Sequence, residues 1–205
     1  MLNLDPNDAV HYTREQEQSI DYLINNNPGR NGTELWKEDG PHKEFVEIKK
    51  HIRTHYLKIQ RLRCVFCERL LVYGDGQIEH FAPKWNHKRF LYEPLNLTCS
   101  CNVCNNFSNK GNKETIEGNE RMPYRINKFK YVHPFLDDVD REIKYKDPFK
   151  IFIDKEHSSE IGKATIDLFH WDNDVAASNR FINRLYWCLS PKRRRLFDKI
   201  LNYED

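Results

Sequence analysis

"CVFCERLLVYGDGQIEHFAPKWNHKRFLYEPLNLTCSCNVCN", residues 64–105, begins with one Cys-x-x-Cys pair and ends on a second, followed by Asn. Between them lies an adjacent Glu-His pair. Two residues between thiols let a knuckle of backbone aim both sulfurs at one metal, and two such knuckles close a tetrahedral zinc site. Cys64, Cys67, Cys101 and Cys104 are the expected ligands, with Cys99 as an alternative to Cys101 because it lies two residues before it. A closed site of four thiolates leaves no position for substrate, so this zinc is expected to be structural. Cys188, in "FINRLYWCL", falls on an apolar helix face and reads as core.

The residues between the knuckles carry chemistry that a hydrophobic core does not need. Glu79 offers a hard oxygen ligand suited to magnesium. His80 offers an imidazole able to take a proton from water. On a strand, neighbours point to opposite faces, so the two share a site only if the strand ends there, and Pro83 makes that reasonable. Asn105 follows the last cysteine and can present a second hard oxygen, while Asn96 can hold the intervening loop or orient His80. Lys84, Lys88 and Lys110 stand where phosphate contacts are useful, and Trp85 could stack on a base. His87, Arg89 and Lys113 are further basic residues in the same region, and "PKRRR" (191–195) forms a separate basic run that ordinarily marks a solvated face.

Working outward, residues 13–25 begin with a capping box, Thr13 with Gln16, and continue as a helix until "NNNPGRNG" (25–32) breaks it. Residues 42–60 place Phe45, Ile48, Ile52, Tyr56 and Ile59 at three- and four-residue steps, which predicts a long amphipathic helix. "RLLVYG" (69–74) and "QIEHF" (77–81) read as strands joined by a turn at Asp75-Gly76. "NLTC" (96–99) reads as a short strand and 101–108 as the start of a helix. Residues 111–130 show no period. "YVHPFLDD" (131–138) and "EIKYKDPFKIFID" (142–154) read as strands, and helices are expected at 158–171, 174–189 and 191–202. The whole is an α+β chain, expected to form a single domain over 1–205: N-terminal helices to 60, a zinc-stapled core over 61–115, a strand-rich extension over 116–157 and C-terminal helices from 158.

Composition narrows the class further. The chain has 205 residues, with 33 Lys and Arg against 31 Asp and Glu, a formal charge of only +2. Charge balance alone therefore does not point to nucleic acid; basic residues would have to gather on one face. No leader and no apolar run of membrane-spanning length is evident, which predicts a cytoplasmic protein with no membrane contact, whose thiols stay reduced.

Taken in order, Cys-x-x-Cys, "IEHFAPK", "NL" and "CNVCN" with "KGN" behind it resemble the HNH endonuclease family, in its zinc-stapled form. The resemblance covers residues 64–113 and implies the ββα-metal (His-Me finger) fold. It implies that His80 activates water, that Glu79 and Asn105 bind a catalytic Mg²⁺ or Mn²⁺, and that Asn96 organises the loop. Asn at the last position, where some members carry His, favours an oxygen-ligated ion. More broadly, "HPFLDD" and "KATIDLFHWDNDVAASNR" are similar to the PtuB-type HNH proteins of the Septu anti-phage system and related retron effectors. There Ala164, Thr165, Ile166, Leu168, Asn173 and Arg180 match a helix-pair pattern, although Ala82 stands where that group usually has Arg. This resemblance implies an antiviral nuclease acting on DNA, with RNA left open as substrate, and an ATPase partner. The alternative expectation is a non-catalytic zinc-stabilised module that binds nucleic acid or docks on a partner.

Overall fold

The computed structural model describes residues 1–37, 43–71, 75–118 and 120–202. It is an α+β arrangement of helices around two small two-stranded antiparallel sheets. Helix α1 (Arg14–Asn25) has the expected capping box, Thr13 and Gln16 each bonding the other's backbone N–H. Helix α3 (Lys43–Ile59) buries Phe45, Ile48, Ile52 and Tyr56 on one face, as its spacing required. The expected start at residue 42 lies outside the described residues.

A short helix not anticipated from the sequence, α2 (Gly32–Lys37), lies between them. Its signal was present as Asn31-x-x-Glu34: Asn31 Oδ1 accepts from the N–H of Thr33 and Glu34, and Glu34 Oε2 accepts from Asn31 N. Gly32 is required here, because a Cβ would stand 2.4 Å from the Lys84 carbonyl oxygen. That close approach sets α2 against the loop after His80.

Strand β1 (Gln77–His80) pairs with β2 (Leu97–Ser100), in the register Gln77↔Ser100 through His80↔Leu97. The expected hairpin of 69–74 with 77–81 is therefore corrected. Residues 63–70 close instead into a knuckle, with a single bridge between Arg63 and Leu70, while 72–74 lie outside the described residues. The other edge of β2 is already taken: Val65 N donates to Cys99 O, and Gln60 exchanges hydrogen bonds of 2.7 Å with both backbone groups of Cys99. Helix α4 (Asn102–Asn105) is one turn long, shorter than expected, with Cys101 at its N-cap.

Beyond residue 130 two strand expectations fail for local reasons. In 131–138, the Asp137 carboxylate accepts from His133 N and the His133 ring from Phe135 N, so side chains use the donors a ladder needs. Helix α5 (Val139–Glu142) follows. Residues 142–154 contain a minimal hairpin, β3 (Lys144–Tyr145) with β4 (Ile153–Asp154), because Asp147 caps Phe149, Ile151 and Phe152 and turns the chain. Helices α6 (Glu160–Phe169), α7 (Asp174–Cys188) and α8 (Pro191–Asn202) stand where expected. Thr165 Oγ1 accepts from Val132 N, Asn173 caps α7 and Arg180 donates to the Ile151 and Trp171 carbonyls, so these residues of the helix-pair pattern are structural ties. Cys188 is exposed, not core. One cluster of buried apolar side chains extends from Met1 to Trp171. Among the described residues no helix is long and apolar enough to cross a membrane.

Candidate metal cluster and polar pocket

The knuckle at 64–67 and the turn into α4 bring Cys64, Cys67, Cys101 and Cys104 together, their sulfurs all within 4.8 Å of one another. Cys67 and Cys101 are 3.8 Å apart, close to the roughly 3.8 Å edge of a tetrahedron with zinc–sulfur bonds of about 2.3 Å. Backbone N–H groups of Cys101 and Cys104 point at the sulfurs of Cys64 and Cys101, respectively. Burial pushes the Cys64 thiol well above its ordinary value, whereas thiol donors from Cys104, Cys64 and Cys67 converging on Cys101 pull that thiol far down. So dry a group of sulfurs can hold several thiolates only around a cation. Cys99 is excluded from the group: its sulfur faces the Arg53 carbonyl at 3.8 Å, and burial raises its thiol to about 12.

One residue past Cys104, Asn105 borders a polar pocket of about 160 Å³ with Glu79, His80, Lys84, Phe107 and Asn112. Glu79 and His80 share this pocket although they are adjacent, because His80 is the last residue of β1. Glu79 and His80 are 2% and 3% exposed, so any charge they hold must be met by protein groups. His80 Nε2 donates to the Leu91 carbonyl at 3.0 Å, which fixes the tautomer and leaves Nδ1 as the basic nitrogen. Lys84 Nζ lies 3.5 Å from Nδ1, and Trp36 of α2 meets the ring edge-on at 4.5 Å. Burial first, then the Lys84 charge, hold the imidazole well below its ordinary value, so it is neutral at pH 7. Asn105 donates its Nδ2 to Gln77 Oε1 at 2.9 Å, which turns the amide so that its oxygen is the atom left for a ligand.

Asn96 holds the loop, and its side-chain hydrogen bonds go to Ala82, Phe90 and Tyr124 and not to His80. Its Oδ1 accepts from Ala82 N at 2.6 Å, and its Nδ2 donates to the Ala82 and Phe90 carbonyls. The same Oδ1 accepts from the Tyr124 hydroxyl, which in turn accepts from His133 Nε2, each at 3.0 Å. Asn96 thus closes the loop between 82 and 90, and Leu91, which orients His80, follows directly.

No protein-family model matches this chain, and no curated protein sequence matches it. The lysines expected at the substrate divide in three. Lys84 lines the pocket. Lys88 is tied to the Asn27 carbonyl at 2.9 Å, a link between the loop and the end of α1. Lys110 differs from the expectation in the free protein: it is 1% exposed, with its ammonium on Glu79 Oε1 at 2.6 Å, and in this state presents no surface to phosphate. Trp36, Tyr124 and His133 were not singled out from the sequence. Spacing carries no sign of a contact across 44 residues, from Trp36 to His80, or across 28, from Asn96 to Tyr124, and only the Asn31-x-x-Glu34 box hinted at the helix bearing Trp36.

The His133 ring supplies a pH prediction. Burial lowers its imidazole to about 3, and its Nδ1 must stay unprotonated to accept from Phe135 N. Below its ordinary value of 6.5 the unfolded chain takes up a proton that the folded chain refuses. Stability is therefore full above that value and falls as pH drops toward 3, by at most about 1.4 kcal/mol per pH unit for this group. Denaturant midpoints measured from pH 7.5 to 4.5, on the wild type and His133→Gln, check it: the variant's slope should be shallower.

Proposed function

We propose that the chain is a metal-dependent endonuclease of the HNH type, hydrolysing phosphodiester bonds of DNA. The observation carrying this reading is a buried His80, held through Nε2 by Leu91 and lining one pocket with Glu79 and Asn105. The succession β1, β2, α4 with cysteines at both ends supports a zinc-stapled ββα core, with the zinc as a structural element on Cys64, Cys67, Cys101 and Cys104.

In this reading His80 Nδ1 takes a proton from water as the oxygen attacks phosphorus, and the 3′-oxygen departs to leave a 5′-phosphate end. Glu79 and Asn105 would hold a Mg²⁺ or Mn²⁺, their hard oxygens fitting such an ion; when bound it stabilises charge on the phosphate and leaving oxygen. Lys84 offers its ammonium to the phosphate beside His80. Exposed Trp85 and Phe107, 59% and 83% accessible, offer rings to an unpaired base near the pocket. The resemblance to PtuB-type proteins adds an antiviral role and an ATPase partner, which DNA cleavage with and without the neighbouring gene's product would address.

One observation favours the non-catalytic alternative: Glu79 already has a counter-ion in Lys110. The two readings separate on zinc-loaded protein incubated with supercoiled plasmid, a labelled duplex and a labelled RNA across 0.1–10 mM Mg²⁺ or Mn²⁺ (about the range that weak, water-rich magnesium sites require). Metal-dependent nicking supports the nuclease; retention of DNA without cleavage at any metal concentration, alone or with the partner, supports the binding module.

A further inference from the structure

Lys110 is a buried charge that the proposed reaction does not use. Its Nζ donates to Glu79 Oε1 at 2.6 Å, to the His80 carbonyl at 2.6 Å and to the Gly111 carbonyl at 3.5 Å. An ammonium has three N–H donors, so these acceptors satisfy it. Its reach is fixed by backbone. Lys110 N donates to the Cys104 carbonyl, tying the residue to the end of α4. Gly111 turns the chain immediately afterwards at φ +46°, where a Cβ would stand 2.9 Å from Phe107 Cα. Lys110 is therefore held at Glu79 by the same turn that carries the cysteine cluster and Asn105.

Glu79 is the one carboxylate among the residues lining the pocket. A divalent ion bound to it would lie within a few ångströms of a full positive charge in a poorly solvated place, and at such range like charges repel strongly. We infer that Lys110 is a built-in competitor for the divalent-cation site: its ammonium holds Glu79 in the free protein, and the ion binds by displacing it. This rests on the reading of Glu79 and Asn105 as that site. The displaced ammonium needs a new anion, and the substrate phosphate, already faced by Lys84, is the group available. Metal and nucleic acid then bind with positive coupling, each supplying what the other lacks, and the substrate-free protein holds its catalytic ion weakly.

The test measures Mn²⁺ binding by electron paramagnetic resonance and calorimetry, on zinc-loaded wild type, Lys110→Met and Lys110→Arg. Lys110→Met should bind Mn²⁺ at least tenfold more tightly than wild type, Lys110→Arg should stay near wild type, and a non-cleavable phosphorothioate duplex should tighten Mn²⁺ binding to wild type more than to Lys110→Met. Equal or weaker binding by a folded Lys110→Met overturns the competition and leaves the nuclease reading standing. No Mn²⁺ bound by any of the three, with or without duplex, removes the divalent site and that reading together. Should Lys110→Met melt early or lose zinc, wild type decides alone. Its Lys110 ammonium signal in nitrogen-detected NMR should shift as Mg²⁺ saturates the duplex complex, and an unmoved signal overturns the inference.

Discussion

His80→Ala should lower the rate of duplex cleavage by roughly a hundredfold to ten-thousandfold, the range a general base contributes. The loss should fall on the chemical step. His80 makes its structural contacts through Nε2 to Leu91 and through the ring edge to Trp36, so the substitution leaves one carbonyl without its donor and a small cavity beneath α2. That costs about 1–3 kcal/mol of stability, which thermal melts will show, while zinc content and duplex affinity stay near wild type. Raising Mg²⁺ or Mn²⁺ should not restore activity, since the missing function is proton transfer. Added imidazole should restore part of it, because the cavity opens on the pocket where water must be activated. Glu79→Ala should respond the other way, to metal and not to imidazole. Wild-type cleavage by His80→Ala would move the chemistry to other residues.

The second large effect is on folding. Stripping the metal with a strong chelator, or replacing Cys64 by Ser, should destabilise the chain by several kcal/mol, on the order of half or more of a typical domain's stability. Cys64 is fully buried, and its neighbour Val65 donates to the Cys99 carbonyl, so the knuckle is stitched to β2 as well as to the cluster. Cys101 caps α4, so losing the metal should also loosen the turn that positions Asn105 and Lys110. Cys99→Ser is the matched control, since that sulfur faces Arg53 and lies outside the group. Elemental analysis should return one zinc per chain for wild type and Cys99→Ser and none for Cys64→Ser. Wild-type protein without zinc but of undiminished stability would refute the assignment.

What could be read from the chain beforehand follows the range of the interactions involved. Local signals worked: the Thr13–Gln16 box, the Phe45-to-Tyr56 stripe and the two cysteine pairs each act within a few residues. The partner of β1 was misread because a plausible turn at Asp75-Gly76 favoured the nearest apolar run, whereas Gln60 and Val65 had already claimed the edge of β2. At the pocket, residue types announced Glu79, His80 and Asn105, but not that Lys110 would fold back on Glu79. A lysine in a polar turn resembles any solvated lysine until the φ of Gly111 is known. Trp36 and the His133–Tyr124 pair reach the site only through tertiary packing, which no spacing encodes.

The chain of hydrogen bonds from His133 through Tyr124 to Asn96 bears on how portable the 64–113 segment is. Excised at its sequence boundaries, that segment would keep its cysteines, Glu79, His80 and Asn105, yet lose both anchors beneath the loop and, upstream, the indole beside His80. It is not a cassette that can be grafted or trimmed to a minimal unit. Changes at 124 or 133 would be felt at residue 82 without altering any group that meets substrate. Cuts outside the span from Trp36 to His133 are no safer, because Leu2 N donates to the Val65 carbonyl, Lys88 holds the Asn27 carbonyl and Thr165 holds Val132 N.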